Sequence, residues 1–265
     1  MDPQYADRYE YLERTHWWFR ARRRVLKTLL ARVPWPASPR IAEIGIASGE
    51  NLYEVYPPDA RLIGIEPDRH NAERARAKGP VPVYVATAEA LPDVLQDGTF
   101  DGLAMFDVLE HTPDDGLVLR QLRAKLKADG WLVMSVPAYM WLWGRQDDVN
   151  CHYRRYTRRE LVLKLRQAGY AVRRASYFNT LLFPPIVMLR LLAKIRPPRD
   201  RASKSDFDYV TGRLDPLLFR IFSFEGRLLR RLNFPFGVSV FAAAQRACVP
   251  GVTEIPEPMT QPSTR

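Results

Sequence analysis

The stretch Arg40-Ile-Ala-Glu-Ile-Gly-Ile-Ala-Ser-Gly49 decides the fold. Ile41 to Ile46 is a short apolar run of the kind a buried parallel strand makes. Gly45 and Gly49 close that run and open a helical pattern from Glu50 to Tyr56. A glycine-marked turn from strand to helix lets a ligand approach the backbone and meet the amides at a helix N-terminus. The spacing here is G-x-x-x-G, and the longer dinucleotide fingerprint G-x-G-x-x-G is absent, which argues against a nicotinamide oxidoreductase. Taken alone, the stretch also fits an ordinary strand-turn-helix unit with structural glycines.

The next apolar run, Arg61-Leu-Ile-Gly-Ile-Glu-Pro67, ends in an acid where nucleotide-binding α/β folds hold ribose hydroxyls. Together, "AEIGIASGENL" and "LIGIEPD" resemble the class I S-adenosylmethionine-dependent methyltransferases. The usual first motif of that family is acid-x-G-x-G-x-G. This chain has Glu43, Gly45 and Gly49, with Ala47 where the middle glycine usually stands. The resemblance implies an α/β fold, a doubly wound, seven-stranded, mostly parallel sheet of Rossmann-like type. It also implies S-adenosylmethionine as cofactor, S-adenosylhomocysteine as product and methyl transfer by in-line displacement. Glu43, Gly45, Ile46, Ala47, Gly49, Glu66 and Pro67 would then surround the cofactor.

Further segments extend the resemblance. His16-Trp-Trp-Phe-Arg-Ala-Arg-Arg-Arg24 is similar to an N-terminal helical segment that closes over the cofactor in such enzymes. That places Trp17, Trp18, Phe19 and Arg22 near the methionine end, where an arginine can pair with a carboxylate. Two adjacent tryptophans on one helix are not expected to face a single core. Ala88-Glu-Ala-Leu-Pro92 resembles an adenine-flanking "D-A-E-x-L-P" segment, with Thr87 in place of the aspartate; Ala88 and Glu89 are implied near the adenine. Asp107-Val-Leu-Glu-His111 resembles the "D-V-L-E-H" segment that follows the fourth strand, which brings Phe106 and Asp107 to the cofactor or acceptor. His111 is a candidate general base because its ordinary pKa lies near neutrality; a structural hydrogen bond is the competing role.

The run "SVPAYMWLWGRQDDVNCHYRRYTRREL" resembles a segment from one bacterial branch of these enzymes. Its aromatics, acids, histidine and arginines suit an acceptor pocket just beyond a strand end. Tyr139, Trp141, Trp143, Arg155 and Tyr156 are the candidate substrate-binding residues. Asp147 with His152 is a candidate catalytic pair, the acid orienting the imidazole. The alternative is that the aromatics merely cap the sheet edge. No metal is expected. Asp147, Asp148 and Asn150 are oxygen ligands suited to Mg²⁺, yet their spacing matches no metal signature, and the adjacent Cys151 and His152 are not in zinc spacing.

The chain of 265 residues is long enough for one α/β domain with an insertion. The reading divides it into a helical cap over 1–39, a methyltransferase domain over 40–248 with a helical insertion at about 179–233, and a proline-rich disordered tail over 249–265. Within it, helices are expected over 5–32, 113–128 and 214–232. Strands are expected over 81–87, 131–136, 170–177 and 237–245, and a polar linker over 196–205. The net charge of +10 is uneven: the sheet region 40–144 is acidic and its flanks are basic. Basic flanks suit an anionic partner or a solubilised surface, but no nucleic-acid-binding module appears, so no nucleic acid is expected. The amphipathic insertion suggests a substrate lid, a homodimer contact or peripheral contact with an anionic membrane. Absence of a signal pattern, of a long apolar run and of a disulfide framework (only Cys151 and Cys248 occur) leads to a cytoplasmic expectation. The favoured partner is a small-molecule acceptor, with O-methylation of a secondary metabolite or saccharide. N- or C-methylation and a non-catalytic partner protein on the same fold remain the alternatives.

Overall fold

The computed structural model describes residues 10–91, 94–195 and 212–247. Seven strands form one sheet: β1 Arg40–Ile44, β2 Arg61–Glu66, β3 Val83–Val85, β4 Phe100–Phe106, β5 Leu126–Pro137, β6 Tyr170–Phe178 and β7 Ser239–Arg246. Their order is β3-β2-β1-β4-β5-β7-β6. The first five strands in that order pair in parallel, and β7 runs antiparallel to both β5 and β6. The order reverses between β1 and β4, and open α/β sheets bind ligands at such a switch point, beyond the strands' carboxyl ends. This is the doubly wound, seven-stranded sheet implied by the sequence.

Alternation along β4 separates two cores. Leu103 and Met105 face one layer with Val118, Leu119 and Leu122 of α4 (Asp115–Lys125) and Leu161 and Leu165 of α6 (Arg158–Gln167). The other layer takes Ala104 and Phe106 with residues of α1 (Trp17–Leu30), α2 (Glu50–Glu54), α3 (Arg69–Ala77) and α8 (Asp215–Leu229). Helix starts follow local chemistry. The Asp68 side chain accepts from Asn71 N–H to begin α3, and Thr157 with Glu160 forms the capping box of α6 that the spacing predicts. The short helix α5 spans Arg145–Val149, and α7 spans Phe183–Ile195.

Several expected boundaries move. The helix expected over 5–32 is broken at His16, whose extended backbone and ring nitrogen cap Trp18 N–H at 3.2 Å; residues 10–15 form a separate helical segment. Helix α4 ends at Lys125, not at Ala128, and Asp129-Gly130 lies inside β5. Strand pairing slips there, since Leu126 meets Phe100 but Trp131 meets Gly102. A Cβ at Gly130 would lie 2.9 Å from the Phe100 carbonyl oxygen, so this glycine marks an irregular strand and not a helix stop. Strand β3 is only three residues long. The linker at 196–205, Cys248, the tail from 249 and residues 5–9 of the first expected helix lie outside the described residues.

The insertion between β6 and β7 carries α7 and α8. Phe219 of α8 receives Arg20 and Arg24 of α1 at 4.9 and 4.7 Å, so the insertion is tied to the N-terminal cap by cation–π contacts. Both Trp17 and Trp18 pack, half-buried, against the same core, because α1 is wedged between the sheet side and α8. Helix α7 leaves Met188, Leu189, Leu191 and Leu192 exposed. Among the described residues no helix is long and apolar enough to cross a membrane.

Candidate active site

Four non-glycine residues adopt a left-handed backbone just beyond the carboxyl ends of β1, β4, β5 and β6. They are Ala47, Asp107, Tyr139 and Asn179, with φ between 48° and 58°. Each such residue costs roughly 1–3 kcal/mol unless its surroundings hold it, and such strain gathers at functional edges.

The loop after β1 is held from within. Gly45 and Gly49 have φ of 74° and 87°. A Cβ at Gly45 would come to 2.3 Å from a methyl of Val108, and one at Gly49 to 2.9 Å from that of Ala75. Only glycine fits either place. Ala47 N–H donates to Glu66 Oε2 at 2.8 Å, and Asp68 N–H donates to Oε1 at 3.2 Å. Glu66 thus ties the end of β2 to the glycine loop. A carboxylate has about four acceptor sites, so lone pairs remain for ribose hydroxyls. Burial raises its pKa. Glu43 lies beneath the loop, 1% exposed. It accepts from Tyr56 Oη at 2.6 Å and Asn51 Nδ2 at 2.8 Å, and burial pushes its pKa up to about 7. Both of its oxygens are engaged, by Asn51 of α2 and by Tyr56 two residues past its end, so Glu43 positions the loop. Ile46 is buried, Pro67 is exposed, and Ala88 is buried beside an exposed Glu89.

The cap closes this edge from the other side. Arg22 donates to Asp107 Oδ2 at 2.6 Å and to Ser135 Oγ at 3.3 Å, and Ser135 Oγ donates to Asp107 Oδ1 at 3.0 Å. The guanidinium carbon stands 5.5 Å from the Trp18 ring and 6.0 Å from that of Phe106. The carboxylate expected to meet Arg22 is here supplied by Asp107. Arg23 pairs with Glu54 at 2.9 Å. With Arg20 and Arg24 on Phe219, the arginines of the "RARRR" run are engaged inside the fold.

The segment after β5 is built around Asp147, which is fully buried. Its Oδ1 accepts from Arg155 Nε at 2.7 Å and faces His152 Nδ1 at 2.9 Å, while Oδ2 accepts from Gly144 N–H at 2.7 Å. Hydrogen bonds from His152 and Arg155 outweigh burial and hold its carboxyl well below the usual range. A carboxylate at Nδ1 fixes the proton there and leaves the Nε2 lone pair free. His111 meets His152 edge-on with ring centroids 4.5 Å apart. Burial, and then His152, push its pKa down to about 4. A base so depressed is neutral at pH 7 but weak.

Of the other acceptor candidates, Tyr139 stacks on Tyr177 at 5.1 Å and on Trp141 at 5.4 Å, and Trp141 is half exposed. Trp143 donates to Asp148. Arg155 and Tyr156 are buried and internally bonded: Arg155 to Asp147 and the Ala138 carbonyl, Tyr156 to Asp115 at 3.0 Å. They frame the pocket without lining it. Phe183 joins Tyr139 and Trp141 to a groove of about 590 Å³ lined by Pro184, Val187, Met188, Leu191, Leu192 and Phe236.

Sequence reasoning passed over Ser135, Tyr56, Asn51 and Glu110. Glu110 stands inside the "DVLEH" segment beside His111, and that adjacency was the available signal.

A doubly wound sheet in this order, with a glycine loop after β1 and an acid ending β2, defines a class I methyltransferase. The chain belongs to the family described as "Methyltransferase domain", whose profile matches residues 16–175. It is an S-adenosylmethionine-dependent methyltransferase. No curated protein matches it in sequence. Among solved structures, it is similar to the methyltransferase in the complex with the Haloferax volcanii Trm112 methyltransferase activator, with 16% identity, 93% of this chain and 96% of that one covered, and a TM-score of 0.61. A S-adenosylmethionine-dependent methyltransferase from Thermotoga maritima gives 18%, 92% and 97%, and 0.56. Geranyl diphosphate C-methyltransferase from Streptomyces coelicolor, solved with Mg²⁺, geranyl diphosphate and S-adenosyl-L-homocysteine, gives 13%, 84% and 79%, and 0.55. At these identities the likeness speaks for the fold alone.

Proposed function

We propose that this methyltransferase acts on a hydroxyl group of a small acceptor that carries an apolar body. The observation that supports the hydroxyl is the Asp147–His152 contact at 2.9 Å. It orients an imidazole at the β5 edge with Nε2 free, a group that amine or thioether acceptors in neutral form do not need. The apolar body is supported by the groove from Phe183 to Leu192, which favours a lipophilic metabolite over a saccharide.

Bound S-adenosylmethionine supplies a sulfonium-activated methyl group, so positioning accounts for much of the rate. Glu66 receives the ribose hydroxyls, Arg22 and Asp107 border the methionine end, and Ala88 lies toward the adenine. Tyr139 and Trp141 orient the acceptor. His152 Nε2 would take the hydroxyl proton as the oxygen forms the C–O bond to the methyl group that the cofactor would supply with loss of its C–S bond.

The test is methyl-donor consumption against matched panels of apolar alcohols or phenols, saccharides and amines. Turnover with the apolar hydroxyl compounds supports the reading. Turnover with amines or saccharides alone contradicts it.

A further inference from the structure

Glu110 is fully buried, and neither of its carboxylate oxygens meets a hydrogen-bond donor among the described residues. Leaving a buried polar atom unpaired is costly, more so for a charged one, so such a group calls for a ligand. Around it stand two imidazoles. His152 Nε2 lies 4.0 Å from Glu110 Oε1, too far for a hydrogen bond, and one ligand atom each from Glu110, His111 and His152 all fall within 4.8 Å of one another.

The His152 ring is held from behind, with Nδ1 on Asp147 at 2.9 Å. Metal-ligating histidines show this arrangement, with the distal nitrogen on a carboxylate or carbonyl and the near one on the ion. The two loops are also joined at their base, since Tyr153 N–H donates to the Glu110 carbonyl at 2.8 Å.

We infer that Glu110, His111 and His152 form a binding site for a divalent transition-metal ion of the zinc type. Two imidazole nitrogens and one carboxylate oxygen suit such an ion better than Mg²⁺ or Ca²⁺, which prefer oxygen ligands alone. Metal–ligand bonds of about 2.1 Å in tetrahedral geometry bring ligand atoms to about 3.4 Å apart, so side-chain adjustments of about an ångström close the set. Three protein ligands leave a position open, as catalytic zinc sites do. The sequence hid this site because 40 residues lie between His111 and His152.

The site stands on its own geometry. Its use in catalysis rests on the methyl-transfer reading: an acceptor hydroxyl in the open position loses its proton more easily on the ion. His152 Nε2 is then a ligand, and the proton leaves to water instead.

The experiment is a Co²⁺ titration of chelator-stripped full-length protein, followed by visible d–d absorption, with Zn²⁺ retention after dialysis measured alongside. Wild type is expected to develop the absorption and to retain about one Zn²⁺ per chain. Glu110→Gln and His152→Ala are expected to bind at least about tenfold more weakly. Their near-UV circular dichroism and S-adenosylhomocysteine affinity should match wild type, which excludes misfolding. Absence of both signals in wild type, or equal binding by the two folded variants, overturns the site. Either result leaves the methyl-transfer reading standing; that reading fails separately, if S-adenosylhomocysteine does not bind.

Discussion

The loops after β1 and β4 sit side by side on one sheet edge, yet they treat their buried acids in opposite ways. After β1, Glu43 is bonded through both oxygens to Tyr56 and Asn51, and Glu66 to Ala47 and Asp68. After β4, Glu110 is buried and neither of its oxygens meets a hydrogen-bond donor among the described residues. The first region is organised by the chain itself. The second holds polar capacity that the chain does not use, which is how a site awaiting a ligand differs from a scaffold.

The largest expected effect comes from turning the satisfied part of the acceptor side into an unsatisfied one. Asp147→Ala leaves Arg155 buried without its carboxylate partner, and should lower stability by about 3–5 kcal/mol in urea unfolding. A loss under about 1 kcal/mol would mean that Asp147 does not organise that side. On the cofactor side, Gly45→Ala combines a left-handed φ with a Cβ 2.3 Å from Val108. It should cost about 2–4 kcal/mol and weaken S-adenosylhomocysteine binding, both measurable by thermal shift with and without the ligand.

The pH dependence of stability sharpens the comparison further. Glu43 has a folded pKa of about 7 against 4.5 for the free group, because burial penalises its charge. Its contribution is complete below about pH 4.5 and is lost as the pH rises through 7. Unfolding free energies of Glu43→Gln should therefore fall less steeply between pH 5 and 8 than those of wild type, by on the order of 2–3 kcal/mol across the range. Glu66 and Glu225 are raised in the same direction, so some slope remains. Identical slopes would show that Glu43 does not titrate there. The smallest effect belongs to Ala47→Gly. Relief of the left-handed φ of 48° is offset by the entropy glycine adds to the unfolded chain. Stability should change by less than about 1 kcal/mol, with cofactor affinity kept or improved.

The unit from β1 to β2 was legible in the sequence because its elements are local. Strand, glycine turn, helix and acid lie within Arg40 to Glu66, and apolar runs with glycines report such units directly. The helix cap at Thr157 was readable for the same reason. The misplaced start of β5 followed from Asp129-Gly130, a dipeptide that marks both helix ends and strand irregularities; only pairing with Phe100 distinguishes them. Arg155 and Tyr156 looked like pocket residues because polar and aromatic types suit both a pocket and a buried frame. Burial depends on Ala138 and Asp115, which are distant in sequence. Glu110 escaped notice because an unpaired acid is defined by what fails to surround it.

The most direct measurement is calorimetric titration of S-adenosylhomocysteine into wild type, Glu66→Ala and Glu110→Gln. The account predicts binding by wild type, affinity weaker by about 10- to 100-fold in Glu66→Ala through lost charged hydrogen bonds, and unchanged affinity in Glu110→Gln. Equal binding by wild type and Glu66→Ala, or no binding at all, would contradict the placement of the cofactor on the β1 loop.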